Sequence, residues 1–135
     1  MQTLPINWLV IILAAGLRMV VGVVWYSDLL FKKKWLELTS QIHPRMQAGV
    51  IRAVVLDSVM SLLMALILSS EIHFIDARGA LAGAVVGLAN WLGFVFTVHA
   101  TLFIYQGRPL QLIAIDAGYS LIALVSMGAV IGNWP

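Results

Sequence analysis

Four apolar stretches, each long enough to cross a bilayer as a helix, occupy most of the chain: residues 4–26, 47–70, 78–105 and 110–134. A helix rises about 1.5 Å per residue, so about 20 apolar residues span the hydrocarbon. A backbone in lipid has no water to bond and must satisfy its own amides, which favours helix over any open sheet. The chain has 135 residues, 61% of them hydrophobic and 10% charged. A soluble domain of that size cannot hide so much apolar surface. The expected fold is all-α: a single domain, residues 1–135, of four transmembrane helices in an antiparallel bundle. A basic juxtamembrane loop, residues 27–46, separates the first two spans.

The remaining charge and composition exclude several functions. The net charge of +2 comes mostly from one loop, so it reports orientation in a membrane and not nucleic-acid binding. No cysteine is present, which removes disulfides, thiolate metal sites and cysteine nucleophiles together. No Lys or Arg precedes the first apolar run and Arg18 interrupts the place for a cleavage site, so a removable leader is not expected. Lys32, Lys33, Lys34, Arg45 and Arg108 lie in the first and third loops, against Arg78 alone in the second. The positive-inside rule then sets both termini outside a cytoplasmic membrane. Trp8 and the pair Trp25-Tyr26 read as aromatic belts at its two faces. Phe31 and Trp35 read as side chains dipping into the interface from a segment with no single apolar face. His43-Pro44 reads as a turn.

Within the apolar runs one polar phrase occurs twice. Asp57 and Ser61 are spaced i and i+4, and so are Asp116 and Ser120, which puts each pair on one helical face. The match extends without gaps from Gln47–Leu63 to Gln106–Ile122, and Asn7-Trp8-Leu9 recurs as Asn90-Trp91-Leu92. One reading is two tandem hairpins related by a parallel repeat. The other is coincidence among helices of similar composition. Gly79, Gly83 and Gly87 repeat every four residues, with Gly128 and Gly132 a second such pair, the small-residue spacing of close helix packing. That packing lies either within the bundle or between subunits.

The elements Asn7-Trp8-Leu9, Trp25-Tyr26-Ser27 with Leu29-Leu30-Phe31 and Trp35, Asn90-Trp91-Leu92, and Ile115-Asp116-x-Gly118-Tyr119 resemble the small bacterial membrane family catalogued as domain of unknown function 1761. The resemblance covers nearly the whole chain. It implies an integral four-helix protein of a bacterial inner membrane and supplies neither substrate nor catalytic residue. Asp28 stands where that family often has proline after the Trp-Tyr-Ser triplet.

Counted from the cytoplasmic helix ends, Arg18, Arg52, Asp57, His99 and Asp116 fall in one slab of the membrane. Arg18 stays protonated, so it requires an anion, and Asp57 or Asp116 is the expected partner. Ser61, Ser120 and Tyr119 are placed to complete the hydrogen bonds. A purely structural clamp satisfies that arrangement. In the alternative, one guanidinium cannot hold two carboxylates ionised, and one acid exchanges a proton or cation. His99 reads as a packing residue, His43 and His73 lack metal-ligand spacing, and no cofactor, metal or catalytic motif is expected. Two functions fit: a small oligomeric transporter or permeation protein for protons, cations or a small polar solute, or a non-catalytic accessory subunit packed on a larger membrane complex. The expected partners are the lipid bilayer and a second copy or larger complex.

Overall fold

A computed structural model of the chain describes residues 6–39 and 49–134. Residues 4–5 of the first expected span, the His43-Pro44 turn, Arg45 and the Gln47 start of the second lie outside the described residues. All regular structure among the described residues is helical, and four helices are long and apolar enough to cross a membrane. The bundle expected from the apolar runs is the architecture found.

Helix α1, Trp8–Trp25, begins where the Asn7 side chain accepts a bond from the Val10 N–H at 3.4 Å, an N-cap. Its buried face is Val10, Ile11, Ala14 and Ala15. Beyond Tyr26 the chain turns back, with the Phe31 N–H donating to the Trp25 carbonyl and the Lys32 N–H to that of Ser27. The basic segment then forms a short helix, α2 (Lys32–Thr39). Phe31 stacks on Trp25 at 4.8 Å between centroids, and Trp35 meets Tyr26 edge-on at 5.6 Å. These two rings, expected in the interface, therefore pin α2 to the end of α1.

Helix α3, Val50–Phe74, runs back across the bundle. The link that follows uses two left-handed residues, Asp76 at φ 54° and Gly79 at φ 97°, so only Gly79 adopts its conformation without a side-chain penalty. In that link Asp76 bonds Arg78 at 2.6 Å and holds the guanidinium above its ordinary pKa. The third span, Ala80–Gln106, has three parts: α4 (Ala80–Asn90), a π-helical stretch (Trp91–Phe96) and α5 (Thr97–Gln106). Gly107 closes α5 in the left-handed conformation, and Pro109 leads into α6 (Leu110–Asn133).

Helix α6 is the centre of the molecule and packs on α1, on α3 and on the third span. Its closest approach is to α4, in antiparallel register: Gly83 lies against Gly128, Gly87 against Leu124, and the Gly79 N–H donates to the Gly132 carbonyl at 2.8 Å. A Cβ at Gly83 would fall on the Gly128 carbonyl oxygen, and one at Gly87 on that of Leu124. The small-residue stripe thus lies inside the single chain. With no apolar-versus-water gradient to drive them together in lipid, helices gain from backbone proximity of this kind.

The two Asp-Ser phrases adopt the same local geometry: Ser61 donates to the Asp57 carbonyl at 2.7 Å and Ser120 to that of Asp116 at 3.1 Å. The Asn-Trp-Leu match has no such counterpart. Asn7 caps a helix start, whereas Asn90 sits in mid-span at the entry to the π-helical stretch.

Candidate functional site

At the end of the bundle where α1 and α5 finish and α3 and α6 begin, Arg18 projects from α1 toward α3. Its Nη1 donates to Asp57 Oδ1 at 2.9 Å and to Ser61 Oγ at 2.7 Å. The i and i+4 spacing read from the sequence is what lets one guanidinium nitrogen reach both groups. The Arg18 side chain is 14% exposed and that of Asp57 48%, so the cation is enclosed and the anion lies at a cleft mouth. Met19 adds a bond from Ser58 to its sulfur at 3.2 Å.

Asp116 does not share this cation. It accepts instead from the Tyr26 hydroxyl at 2.6 Å. Of the two acids expected as its partner, Arg18 takes Asp57: the rotation of α6 turns Asp116 toward the end of α1, and Tyr119 occupies the space beside the guanidinium. Tyr119 lies with its ring 5.6 Å from the Arg18 guanidinium carbon, and its hydroxyl donates weakly, at 3.4 Å, to the Arg18 carbonyl. Its ring also meets Tyr26 edge-on at 5.5 Å. Gly22 makes this possible, since a Cβ there would stand 3.2 Å from the Tyr119 hydroxyl oxygen.

The two tyrosines therefore stand between the two acids. On one side, a cleft of about 350 Å³ is lined by Arg18, Met19, Tyr26, Asp57 and Tyr119. On the other, a cavity of about 390 Å³ brings Asp116 together with Trp35, Thr39, Arg108 and Leu112 under α2 and the turn at Gly107. Tyr26 belongs to both environments: its ring lines the first and its hydroxyl binds the acid of the second.

Other expected members lie elsewhere. Among the described residues Ser120 bonds only the backbone of its own helix, so it does not complete the Arg18 cluster. Among the described residues His99, half-buried on α5, makes no hydrogen bond or ion pair with the cluster. Arg52 falls in the first turn of α3 and is exposed there. No group of His, Asp and Glu able to hold a metal ion occurs among the described residues.

The residues that sequence reasoning passed over are aromatic. Trp25 and Tyr26, expected as interface anchors, turn inward onto α6, where the Trp25 indole N–H donates to the Ile115 carbonyl at 2.9 Å. Trp91 does the same to Ala117 at 2.8 Å. Gly118, directly after Ala117, leaves room for the Trp25 ring, 3.0 Å from where its Cβ would be. A signal for Tyr26 was available: Arg18, Gly22 and Tyr26 are spaced by four and share one face of α1.

Fold and site together define a four-span helical membrane protein with two intramembrane acids held by different partners, one by an arginine and one by a tyrosine. A family described as protein of unknown function (DUF1761) matches residues 9–132, nearly the whole chain. The chain belongs to that family. Neither the curated proteins nor the solved structures contain a match to it.

Proposed function

We propose that this chain is a small, non-catalytic permeation protein or transporter for a proton, a cation or a small polar solute. The observation that carries this reading is that each intramembrane acid borders its own cavity, with Tyr26 and Tyr119 as the partition between them. A merely structural clamp would leave no reason for Asp116 to stand apart from the cation, on a separate cavity. Ionisable groups in lipid are costly, and those within membrane spans face the bundle interior or a water-filled cavity and commonly mark substrate and ion pathways.

The reading includes a homo-oligomer. Asp57 is half-exposed at a cleft on the outer face of the bundle, where hydrocarbon cannot solvate it and a second copy or water can. The membrane is a bacterial inner membrane with both termini outside, because the lysines of α2 and Arg108 stand at the ends that would face the cytoplasm. The alternative role of accessory subunit is less favoured, since the glycine stripe offered for a partner is occupied within the chain.

The test is reconstitution in liposomes with an internal pH-sensitive dye under an imposed ion gradient, comparing the wild type with Asp57→Asn and Asp116→Asn. The wild type should carry flux, and each variant should lose about tenfold or more, as expected when a pathway carboxylate is neutralised. Equal flux in all three, or none in any, overturns the proposal.

A further inference from the structure

A third cavity, separate from the Arg18 cluster, opens sideways along the second half of α3. It has a volume of about 370 Å³, and Met60, Leu63, Met64, Ile67 and Phe94 give it apolar walls. That is within the size range of small-molecule sites, and methionines make such walls adaptable. At its polar edge lie Glu71 and Asn90, joined by a bond from the Asn90 amide nitrogen to Glu71 Oε2 at 2.6 Å.

Glu71 is distinguished by what it lacks. The chain has six acidic residues. Asp28, Glu37, Asp57 and Asp76 each face a basic side chain, and Asp116 takes a tyrosine hydroxyl. Among the described residues Glu71 bonds only an amide, and no Lys, Arg or His forms an ion pair with it. Its other oxygen is left to whatever fills the groove. The far wall is also unusual, because Phe94 belongs to the π-helical stretch that begins directly after Asn90. A π turn in a helix is rare and often lies at a binding site, and here it sets the wall across from Glu71.

We propose that this groove binds a lipophilic monovalent cation drawn from the bilayer, its apolar body against Leu63, Met64 and Phe94 and its charge at Glu71. The charge complementarity is one-sided: among the described residues the lining holds a carboxylate and no basic residue. A zwitterionic lipid with an ammonium headgroup fits less well, since its phosphate would stand close to Glu71 with no cation to receive it. The proposal is independent of the transport reading, since Glu71 is fourteen residues from Asp57, about 21 Å along α3.

The test is equilibrium binding of tetraphenylphosphonium to the purified full chain in detergent, with tetraphenylborate as the anionic counterpart of the same shape. The cation should bind saturably and the anion should not. Glu71→Gln, whose amide oxygen still accepts from Asn90, should weaken binding by about tenfold. Leu63→Trp, at a position exposed in the groove, should block it, while Asp57→Asn and Asp116→Asn leave it unchanged. Equal binding of cation and anion, no loss in Glu71→Gln, or no saturable binding to the wild type overturns the proposal. If instead Asp57→Asn abolishes binding while Glu71→Gln does not, the cation belongs to the other cleft and this site is refuted, with the transport reading intact.

Discussion

Arg18 decides the chemistry at the scale of single residues. A guanidinium in a membrane span requires an anion within reach, and the structure supplies Asp57 at 2.9 Å while Asp116 goes to Tyr26. This division makes a quantitative prediction. A double-mutant cycle of Arg18→Gln with Asp57→Asn should give a coupling of about 1–2 kcal/mol, the upper range for polar pairs between membrane helices. The cycle of Arg18→Gln with Asp116→Asn should give less than about 0.5 kcal/mol, as for sites without a shared bond. Reversible unfolding in mixed micelles measures both. Equal couplings would mean that the cation is shared. The need for an anion was legible in the sequence, because charge and depth can be counted along a helix. Which acid would answer was not, because that depends on the rotation of α6 against α1, which the Tyr119 ring and Gly22 set by packing. Tyr26 was hidden for a different reason. A tyrosine at the end of a span is ordinarily an interface anchor, and only its four-residue spacing from Gly22 and Arg18 marked it as inward.

At the scale of elements, the pairing of α4 with α6 is set by backbone contact. Gly83→Ala places a methyl group on the Gly128 carbonyl and should destabilise the fold by about 1–3 kcal/mol, the usual cost of overpacking. Gly16→Ala, on α1 with nothing within 4 Å of its Cβ, should be neutral or stabilising by up to about 1 kcal/mol through helix propensity. Thermal unfolding of the two variants in one detergent separates these outcomes, and a neutral Gly83→Ala would contradict the register described. The four-residue glycine period could be read from the chain, and so could the second pair at Gly128 and Gly132. Their mutual contact could not, since a small residue fits a neighbouring subunit as well as a neighbouring helix. The π-helical stretch left no trace in the hydropathy, because Trp91 to Phe96 is apolar on every side. The helix α2 was missed because its stability comes from Trp25 and Tyr26 packing on Phe31 and Trp35, a tertiary effect that overrides its weak amphipathicity.

For the whole molecule, the apolar runs alone determine the architecture: four spans, short links and one longer basic connector permit little besides an antiparallel bundle. What they leave open is how such a bundle treats its charges. In this one the acids at one end stand beside cavities separated by two tyrosines, and the acid at the other end borders an apolar groove. The account depends on Asp57 and Asp116 meeting water or polar solute and not lipid tails. Because the chain has no cysteine, each position can be interrogated by a single introduced thiol. Met19→Cys, beside Asp57, and Asp116→Cys should react with a water-soluble, membrane-impermeant maleimide in reconstituted vesicles opened to both sides. Val55→Cys and Ile104→Cys, on exposed apolar faces of α3 and α5, should stay unlabelled. Labelling at the first two positions at least about tenfold faster than at the second two is the expected result, since a thiol in hydrocarbon does not ionise. Four equally unreactive thiols would contradict the account.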